Sequence, residues 1–280
     1  MKLNKESQGQ SLGVALGGGA FRGAAHLGVL KALEEEGLRP GFLAGTSAGA
    51  MVAAFYAFGK NPEEIRRLAK NLNWMKFTNL ALSKMGLLSN SEIGRFVEEH
   101  LGSVRLEDSP IPLAVVATDI RSGERVVFKQ GPVAHAVMAS TCIPGLFAPV
   151  QEGSRMLVDG MLVENIPVSV LKEMGAPVTV AVNLSNGQYR QPQTLAEVLV
   201  NAFSVAIDQT TQRQLAEADV EIHPQLDGYG LLDDSNLVKL YAEGYRAAAL
   251  KIDPIREQMS RKEPSSWEFL EKRFRKWLNT

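Results

Sequence analysis

The sequence has little of what marks several large classes of protein. Its 280 residues include one cysteine, Cys142, so no disulfide can form within the chain, which is typical of a reducing compartment. The formal net charge is −1 at pH 7 without a block of like charge, so the basic surface that binds nucleic acid is missing. Residues 1–11 are polar, and no apolar run is long enough to cross a bilayer. We therefore expect a cytoplasmic protein that does not bind nucleic acid.

Metal-binding side chains are scarce as well. The four histidines are scattered, and no group of His, Cys and Asp has the spacing of a metal site, so we expect neither a metal nor a cofactor. Apolar residues are abundant, at 45% of the chain against 22% charged residues. This balance is enough to bury the core of one large α/β domain.

The most informative stretch is Gly45-Thr46-Ser47-Ala48-Gly49, between an apolar segment and an alanine-rich one. This pattern predicts a strand, a sharp turn and a helix, with Ser47 at the apex of the turn. Gly45 and Gly49 permit the strained backbone and the close packing of helix on strand that a nucleophile elbow needs. The N-terminus of the helix favours negative charge that develops at the same place. Ser47 is therefore the candidate nucleophile, although G-x-S-x-G also occurs in plain turns of small residues.

A glycine-rich loop, Gly17-Gly18-Gly19-Ala20-Phe21-Arg22-Gly23, follows a short apolar strand at Leu12–Leu16 and precedes a helical pattern. Such a loop can present several backbone N–H groups to an anion, and Arg22 adds a positive charge. The spacing leaves three interpretations open: a phosphate cradle for a nucleotide, an oxyanion hole for acyl transfer, and a tight turn. The first is the weakest, because the loop lacks the lysine and the Ser/Thr of a Walker sequence.

Further motifs follow in order along the chain. They are Ala117-Thr118-Asp119 before a Ser122-Gly123 turn, Ser140-Thr141-Cys142-Ile143-Pro144-Gly145-Leu146-Phe147, and Val158-Asp159-Gly160 with Asn165 and Pro167 after it. Together with the glycine loop and G-T-S-A-G, this series resembles the patatin-like phospholipases, in particular their compact bacterial members. The resemblance is strong from about Leu12 to Leu184, and several motifs in order are far more specific than any one alone.

The resemblance implies a three-layer α/β/α fold with a mainly parallel central sheet. It also implies a Ser-Asp dyad that hydrolyses acyl esters of lipids, with Ser47 as the nucleophile and Asp159 as the catalytic aspartate. The other site residues that it implies form the oxyanion and anion-binding loop and the nucleophile elbow: Gly18, Gly19, Ala20, Arg22, Gly23, Ala48, Gly45 and Gly49.

Two residues depart from the pattern of the family. Ala20 stands where the third glycine of the loop is expected, and Met161 follows Asp159-Gly160 where glycine or alanine is usual. A methionine at this position would narrow the site or line an acyl groove.

Asp159 also fits the role of base in its own sequence context. Residues 155–158 have the pattern of a strand, so the carboxylate would lie at a strand end, where open α/β sheets place ligand sites. A serine hydroxyl needs a base to take its proton, and burial can make an aspartate basic enough.

Among enzymes, the alternative to a dyad is a Ser-His-Asp triad. Of the histidines His26, His100, His135 and His223, only His223 follows Asp159 and gives the chain order of α/β-hydrolases. His223 lies in a short strand pattern that ends at a proline, and this position disfavours it as a base.

Two apolar segments outside these motifs are candidates for contact with a membrane. Residues 74–88 are unusually rich in large apolar residues for a connection between helices, which fits a core segment, a mobile cover over Ser47 or an acyl-binding wall. Residues 267–278 form an amphipathic helical pattern, which fits docking on the domain, a dimer contact or an interfacial helix at the inner membrane face.

The domain organisation that we expect is simple. A flexible N-terminus at 1–11 precedes one patatin-like domain at 12–262, and an amphipathic helix at 263–280 ends the chain. Two long helices are predicted near the end of the domain, over 194–217 and 236–259.

The function expected from these residues is hydrolysis of a lipid or acyl-ester substrate by Ser47 and Asp159 through an acyl-enzyme. The alternative is a regulatory module that senses lipids or acyl carriers with the same pocket and has slow or no turnover. The intact serine and aspartate favour the enzyme, whereas Ala20 and Met161 leave the regulatory module open.

Overall fold

The computed structural model describes residues 12–71, 89–185, 187, 191–193, 195–231 and 235–262. The predicted membrane-contacting segments 74–88 and 267–278 lie outside these ranges, as do the termini 1–11 and 263–280. What the sequence indicates about these segments, and about a cytoplasmic location, therefore stays a prediction.

The described part of the chain alternates strands and helices. Its strands are β1 Leu12–Leu16, β2 Pro40–Thr46, β3 Leu113–Asp119, β4 Glu124–Phe128, β5 Val150–Glu152, β6 Arg155–Asp159, β7 Val178–Val182 and β8 Val220–Ile222. Its helices are α1 Ala24–Glu35, α2 Ala48–Ala57, α3 Pro62–Asn71, α4 Ser91–Leu101, α5 Val133–Ser140, α6 Val168–Glu173, α7 Leu195–Leu215, α8 Leu237–Ala249 and α9 Ile252–Lys262. Short 3-10 turns occupy Ala20–Gly23, Leu106–Asp108 and Gly160–Leu162.

The strands form one mainly parallel sheet. Its neighbours run in the order β5-β6-β3-β2-β1-β7-β8, and β4 also pairs with β3. The pairs from β3 through β2, β1 and β7 to β8 are parallel, whereas β4, β5 and β6 join by antiparallel pairing. The predicted α/β class with a mainly parallel sheet is confirmed.

The third strand, β3, is where the two candidate catalytic residues converge. β2 runs parallel to β3, and its last pair is Thr46 with Val116. β6 runs antiparallel to β3, with Asp159 opposite Ala117. Because β4 overlaps both stretches from the other side, β2 and β6 lie end to end along one side of β3. The carboxyl ends of β2 and β6 therefore meet.

Helices cover both faces of the sheet and give three layers. Alternate residues of a strand face opposite sides, so Val14 and Leu16 enter the larger core, which also contains residues of α1, α2, α5 and α8. On the other face the four central parallel strands each present an alanine to the smaller core, which α6 closes: Ala15, Ala44, Ala114 and Ala181. These small side chains allow α6 to pack close to the sheet.

Sequence patterns predicted several of these elements. β1 has the predicted bounds, the strand pattern at 155–158 lies within β6, and the range 194–217 contains α7. The prediction of one helix over 236–259 is wrong, because the chain turns at Leu250-Lys251 between α8 and α9. Pro254 has no N–H and fits only the first turn of a helix, which is where it lies in α9.

Candidate active site

The strand-turn-helix predicted around Ser47 is present between β2 and α2. Ser47 has φ 55° and ψ −123°, a strained conformation that is rare for a residue with a side chain. A Cβ on Gly45 would lie 2.6 Å from the carbonyl oxygen of Gly49, and a Cβ on Gly49 would overlap the carbonyl of Leu16. Both glycines are therefore required by close contacts between backbones.

The side chain of Ser47 bonds to the carboxylate of Asp159. Ser47 Oγ donates to Asp159 Oδ2 at 2.6 Å, and Asp159 Oδ1 accepts the N–H of Met161 at 3.0 Å. Both side chains are buried, Ser47 with 4% and Asp159 with 2% of its surface exposed. The Ser47 hydroxyl makes no capping bond to its own helix, so its hydrogen bond is made to the Asp159 carboxylate.

Burial changes the acidity of this carboxylate. Removal from water raises the pKa of Asp159 to about 7, although the bonds from Ser47 and Met161 act in the opposite direction. A carboxylate with a pKa near neutrality can accept a proton from a hydroxyl far better than an exposed aspartate can. Burial therefore makes Asp159 a candidate base for Ser47.

Two of the four histidines considered for a triad, His223 and His26, bond to main-chain carbonyls. His223 Nε2 donates to the carbonyl of Ser185 at 2.6 Å. His26 lies under the glycine loop, where its Nε2 donates to the carbonyl of Gly17 at 2.7 Å, and burial lowers its pKa to about 4. His26 therefore stays neutral and supports the backbone of the loop.

The backbone N–H groups of the glycine loop and of the start of α2 differ in whether they have an acceptor. The N–H of Gly18 donates to Asn165 Oδ1 at 3.0 Å, and Asn165 Nδ2 in turn donates to Thr211 Oγ1 at 3.1 Å. The N–H groups of Gly19 and Ala48 have no acceptor within the described part of the chain. Gly18, a predicted oxyanion donor, is thus held by a side chain, whereas Gly19 and Ala48 are available.

The two departures from the family pattern both lie at this loop. Ala20 has φ 47°, in the left-handed region that glycine prefers. The side chain of Met161 packs directly on Gly18, since a Cβ on Gly18 would overlap Met161 Sδ. Met161 narrows the space beside the loop and is not part of the cavity wall.

Arg22 is tied to the protein by its guanidinium group. Its Nε and Nη2 donate to the carbonyl of Tyr229 at 3.0 and 2.7 Å, and its Nη1 donates to the carbonyl of Leu184 at 3.3 Å. The side chain is buried, so these bonds join the glycine loop to the segments after β7 and β8. Arg22 braces the loop through main-chain carbonyls.

An apolar cavity of about 310 Å³ opens beside Ser47. Its wall is formed by residues of the glycine loop, the helices α1 to α4 and α8, and the segment after α5: Ala20, Phe21, Gly23, Ala24, Leu27, Ser47, Ala48, Met51, Val52, Phe55, Ile65, Leu68, Ala69, Ile93, Phe96, Thr141, Ile143, Leu146, Phe147 and Leu237. Apart from Ser47 and Thr141, the wall residues that the structure describes have apolar side chains or none. The cavity suits a hydrocarbon chain.

Sequence reasoning missed one residue that contacts the candidate nucleophile. Ser140 Oγ accepts the backbone N–H of Ser47 at 2.8 Å. Ser140 begins one of the motifs that carry the family resemblance, but its spacing gives no sign of the partner.

Within the described ranges of the chain, no helix is long and apolar enough to span a membrane. No group of three or more His, Cys, Asp or Glu side chains there is placed to hold a metal ion.

The fold and the site define a class of protein. A mainly parallel α/β sheet carries a strained serine at the end of a parallel strand, a buried aspartate bonded to it and a glycine loop beside them. Residues 14–172 match the family model described as patatin-like phospholipase, and the chain belongs to this family.

Individual relatives are larger than this chain. An uncharacterized NTE family protein of Mycobacterium tuberculosis is 37% identical over 199 residues, which cover 70% of this chain and 55% of that protein. The lysophospholipase nte1 of Neurospora crassa is 26% identical over 290 residues, covering 92% of this chain and 19% of that protein. The chain thus spans about half or less of the length of these relatives.

A solved structure has the same fold. The crystal structure of VipD from Legionella pneumophila superposes with a TM-score of 0.62 at 15% sequence identity, covering 88% of this chain and 67% of that chain. This likeness shows a shared fold.

Proposed function

We propose that the chain is a serine lipid acyl hydrolase of the phospholipase, lysophospholipase or esterase type, with Ser47 and Asp159 as its catalytic dyad. The observation that carries this proposal is the 2.6 Å hydrogen bond from Ser47 Oγ to a buried carboxylate, beside an apolar cavity. The name of the Neurospora relative, a lysophospholipase, agrees with a lipid substrate.

The first half of the reaction forms an acyl-enzyme. Asp159 Oδ2 takes the proton of Ser47 Oγ while this oxygen attacks the carbonyl carbon of the ester. The resulting tetrahedral intermediate carries a negative oxygen. When the carbon–oxygen bond to the alcohol breaks, the proton on Asp159 passes to the leaving alcohol and the acyl group stays on Ser47.

The second half releases the acyl group. Asp159 takes a proton from a water molecule, whose oxygen attacks the acyl carbonyl carbon. The second tetrahedral intermediate breaks its bond to Ser47 Oγ, which regains the proton, and the product is a carboxylic acid.

The N–H groups of Gly19 and Ala48 are our assignment for the oxyanion hole. They have no acceptor among the described residues, and Ala48 is the first residue of α2, whose N-terminus favours negative charge. The bond to Asn165 gives Gly18 a different part, which is to fix the course of the loop.

The apolar cavity beside Ser47 is where we place the acyl chain of the substrate. Its volume of about 310 Å³ and its apolar lining fit a hydrocarbon chain, with the alcohol part of the ester outside.

Hydrolysis of a p-nitrophenyl ester series and of a lysophospholipid tests this proposal. We expect Ser47→Ala to fall to background and Asp159→Asn to lose at least about 100-fold in kcat, because the base is removed. Ser109→Ala and Asp253→Asn, which change residues outside the site, are matched controls and should keep the parent rate. Equal rates in the parent and Ser47→Ala would overturn the proposal.

Pre-steady-state kinetics separates the enzyme from the slow regulatory module. The enzyme shows a burst of one p-nitrophenol per chain followed by steady turnover, because the acyl-enzyme forms and is then hydrolysed. One burst without turnover would instead support the regulatory module.

A further inference from the structure

The segment Ser140–Cys142 contacts both halves of the proposed dyad, although neither side chain of the dyad belongs to it. It is the end of α5 and the start of the following turn, and all three residues are buried. The mechanism proposed above assigns this segment no part.

Ser140 holds the main chain of the proposed nucleophile. Its Oγ accepts the N–H of Ser47 at 2.8 Å and donates to the carbonyl of Val116 at 2.6 Å. The pairing of β2 with β3 ends at Thr46 and Val116, so the hydroxyl stands between the two strands directly after their last pair. It accepts the buried N–H of Ser47, which the strained turn withdraws from the hydrogen bonding between the strands.

Cys142, two residues further on, holds the main chain of the proposed base. Its carbonyl accepts the N–H of Asp159 at 2.8 Å. The thiol itself is not reactive, because burial raises its pKa to about 12, and Sγ donates to the carbonyl of Ala148 at 3.2 Å. The same short segment thus bonds to the backbones of both residues whose side chains form the 2.6 Å contact.

We propose that Ser140 is a positioning residue for acyl transfer. Its hydroxyl keeps Ser47 in the conformation that directs Oγ at Asp159, and the Cys142 carbonyl sets Asp159 relative to that point. This inference rests on the proposed function of Ser47 and Asp159. Ser140 itself does not line the cavity, so it acts through Ser47 and not through the substrate.

Ser140→Ala tests the proposal in the p-nitrophenyl ester assay, with active sites counted by burst titration. We expect kcat per titrated site to fall about 10- to 100-fold, the size of effect that a misplaced reacting group has, with KM unchanged. A role in stability alone would lower the fraction of active chains and leave kcat per titrated site as in the parent. That second result would overturn the proposal.

Ser109→Ala is the matched control. The Ser109 hydroxyl also donates to a main-chain carbonyl, that of Ile111 at 2.7 Å, but it precedes the opposite end of β3. It should leave kcat unchanged. Should Ser140→Ala fail to fold, Ser140→Cys keeps the shape of the side chain with a larger atom that is a much poorer acceptor. It decides in the same assay: a fall in kcat supports positioning, and parental kcat overturns it.

Amide hydrogen exchange distinguishes this proposal from the hydrolase proposal. The N–H of Ser47 should be protected in the parent and should lose protection in Ser140→Ala and not in Ser109→Ala. An inactive parent that shows this pattern would contradict the hydrolase and still support the bond by which Ser140 holds Ser47. Equal protection in all three chains would overturn the positioning role even in an active enzyme.

Discussion

The nucleophile turn, residues 45–49, and the glycine loop, residues 17–23, each hold one non-glycine residue at positive φ. Ser47 lies at 55° in the first, and Ala20 lies at 47° in the second. The two regions differ in what surrounds the strained residue. In the turn, Gly45 and Gly49 press against backbone atoms, whereas in the loop Gly18 is covered by the flexible end of Met161.

This difference separates a glycine that is enclosed by backbone atoms from one that faces a movable side chain. Backbone contacts cannot relax without moving a strand, but a methionine side chain can change its rotamer. The strained conformation of Ser47 is thus fixed by the close packing at Gly45 and Gly49 and by the hydrogen bond to Ser140. The atoms nearest to an added Cβ on Gly18 belong to the Met161 side chain, so Gly18 should tolerate a change that Gly49 does not.

The largest contrast should come from alanine at Gly49 and at Gly18. We expect Gly49→Ala to lose at least about 3 kcal/mol of the free energy of unfolding, because its Cβ would overlap the backbone of Leu16. Gly18→Ala should lose only about 1 kcal/mol, since Met161 Sδ can move aside. Urea denaturation measures both, and equal losses would remove the distinction between turn and loop.

The two regions should also differ in how they respond to pH. Asp159, beside the turn, acts as a base only when deprotonated, and its pKa is raised to about 7. His26, under the loop, has its pKa lowered to about 4 and stays neutral above pH 5. We expect kcat/KM to rise about tenfold per pH unit up to pH ~7 and then to level off, so that one ionisation governs the profile. A profile that is flat from pH 5 to 8 would contradict this role of Asp159.

The same carboxylate should make stability depend on pH. Its folded pKa lies above its ordinary value of 3.8, so the folded state binds the proton more tightly. The resulting stabilisation is present below pH ~4 and is lost as the pH rises through about 7. Asp159→Asn should therefore gain melting temperature relative to the parent at pH 8 and gain less, or lose, at pH 4. The same difference in melting temperature at both pH values would show that Asp159 is not shifted upwards.

The smallest effect is expected for Ala20→Gly in the loop. Glycine removes the cost of a Cβ at φ 47° but adds freedom to the unfolded chain, so the net gain should be about 0.5–1 kcal/mol. Urea denaturation measures this gain, and kcat should change less than twofold. A loss of stability would mean that contacts of the Ala20 methyl group in the cavity wall outweigh its strain.

Local chemistry made much of the site predictable from the sequence. The glycines two residues before and after Ser47 predict the sharp turn of a nucleophile elbow. The apolar strand before Asp159 places that residue at a sheet end. These are effects of neighbouring residues, which a sequence pattern records directly.

Pairing between distant segments was not predictable in the same way. The bond that engages the Gly18 N–H comes from a residue 147 positions away, and the bond that holds the Ser47 N–H comes from one 93 positions away. The antiparallel course of β6, which brings Asp159 to the end of β2, likewise depends on the register of three strands. Such contacts are set by tertiary packing and leave no periodic mark in the sequence.

Labelling with a fluorophosphonate probe, read by peptide mass spectrometry, tests the central claim most directly. The probe reacts with an activated serine, so the dyad predicts one adduct per chain, on Ser47, with a labelling rate that rises with pH and levels off above about pH 7. Ser47→Ala should carry no adduct, Asp159→Asn should label slowly, and Ser109→Ala should label like the parent. An adduct on a different serine, or no adduct on the folded parent chain, would contradict the account.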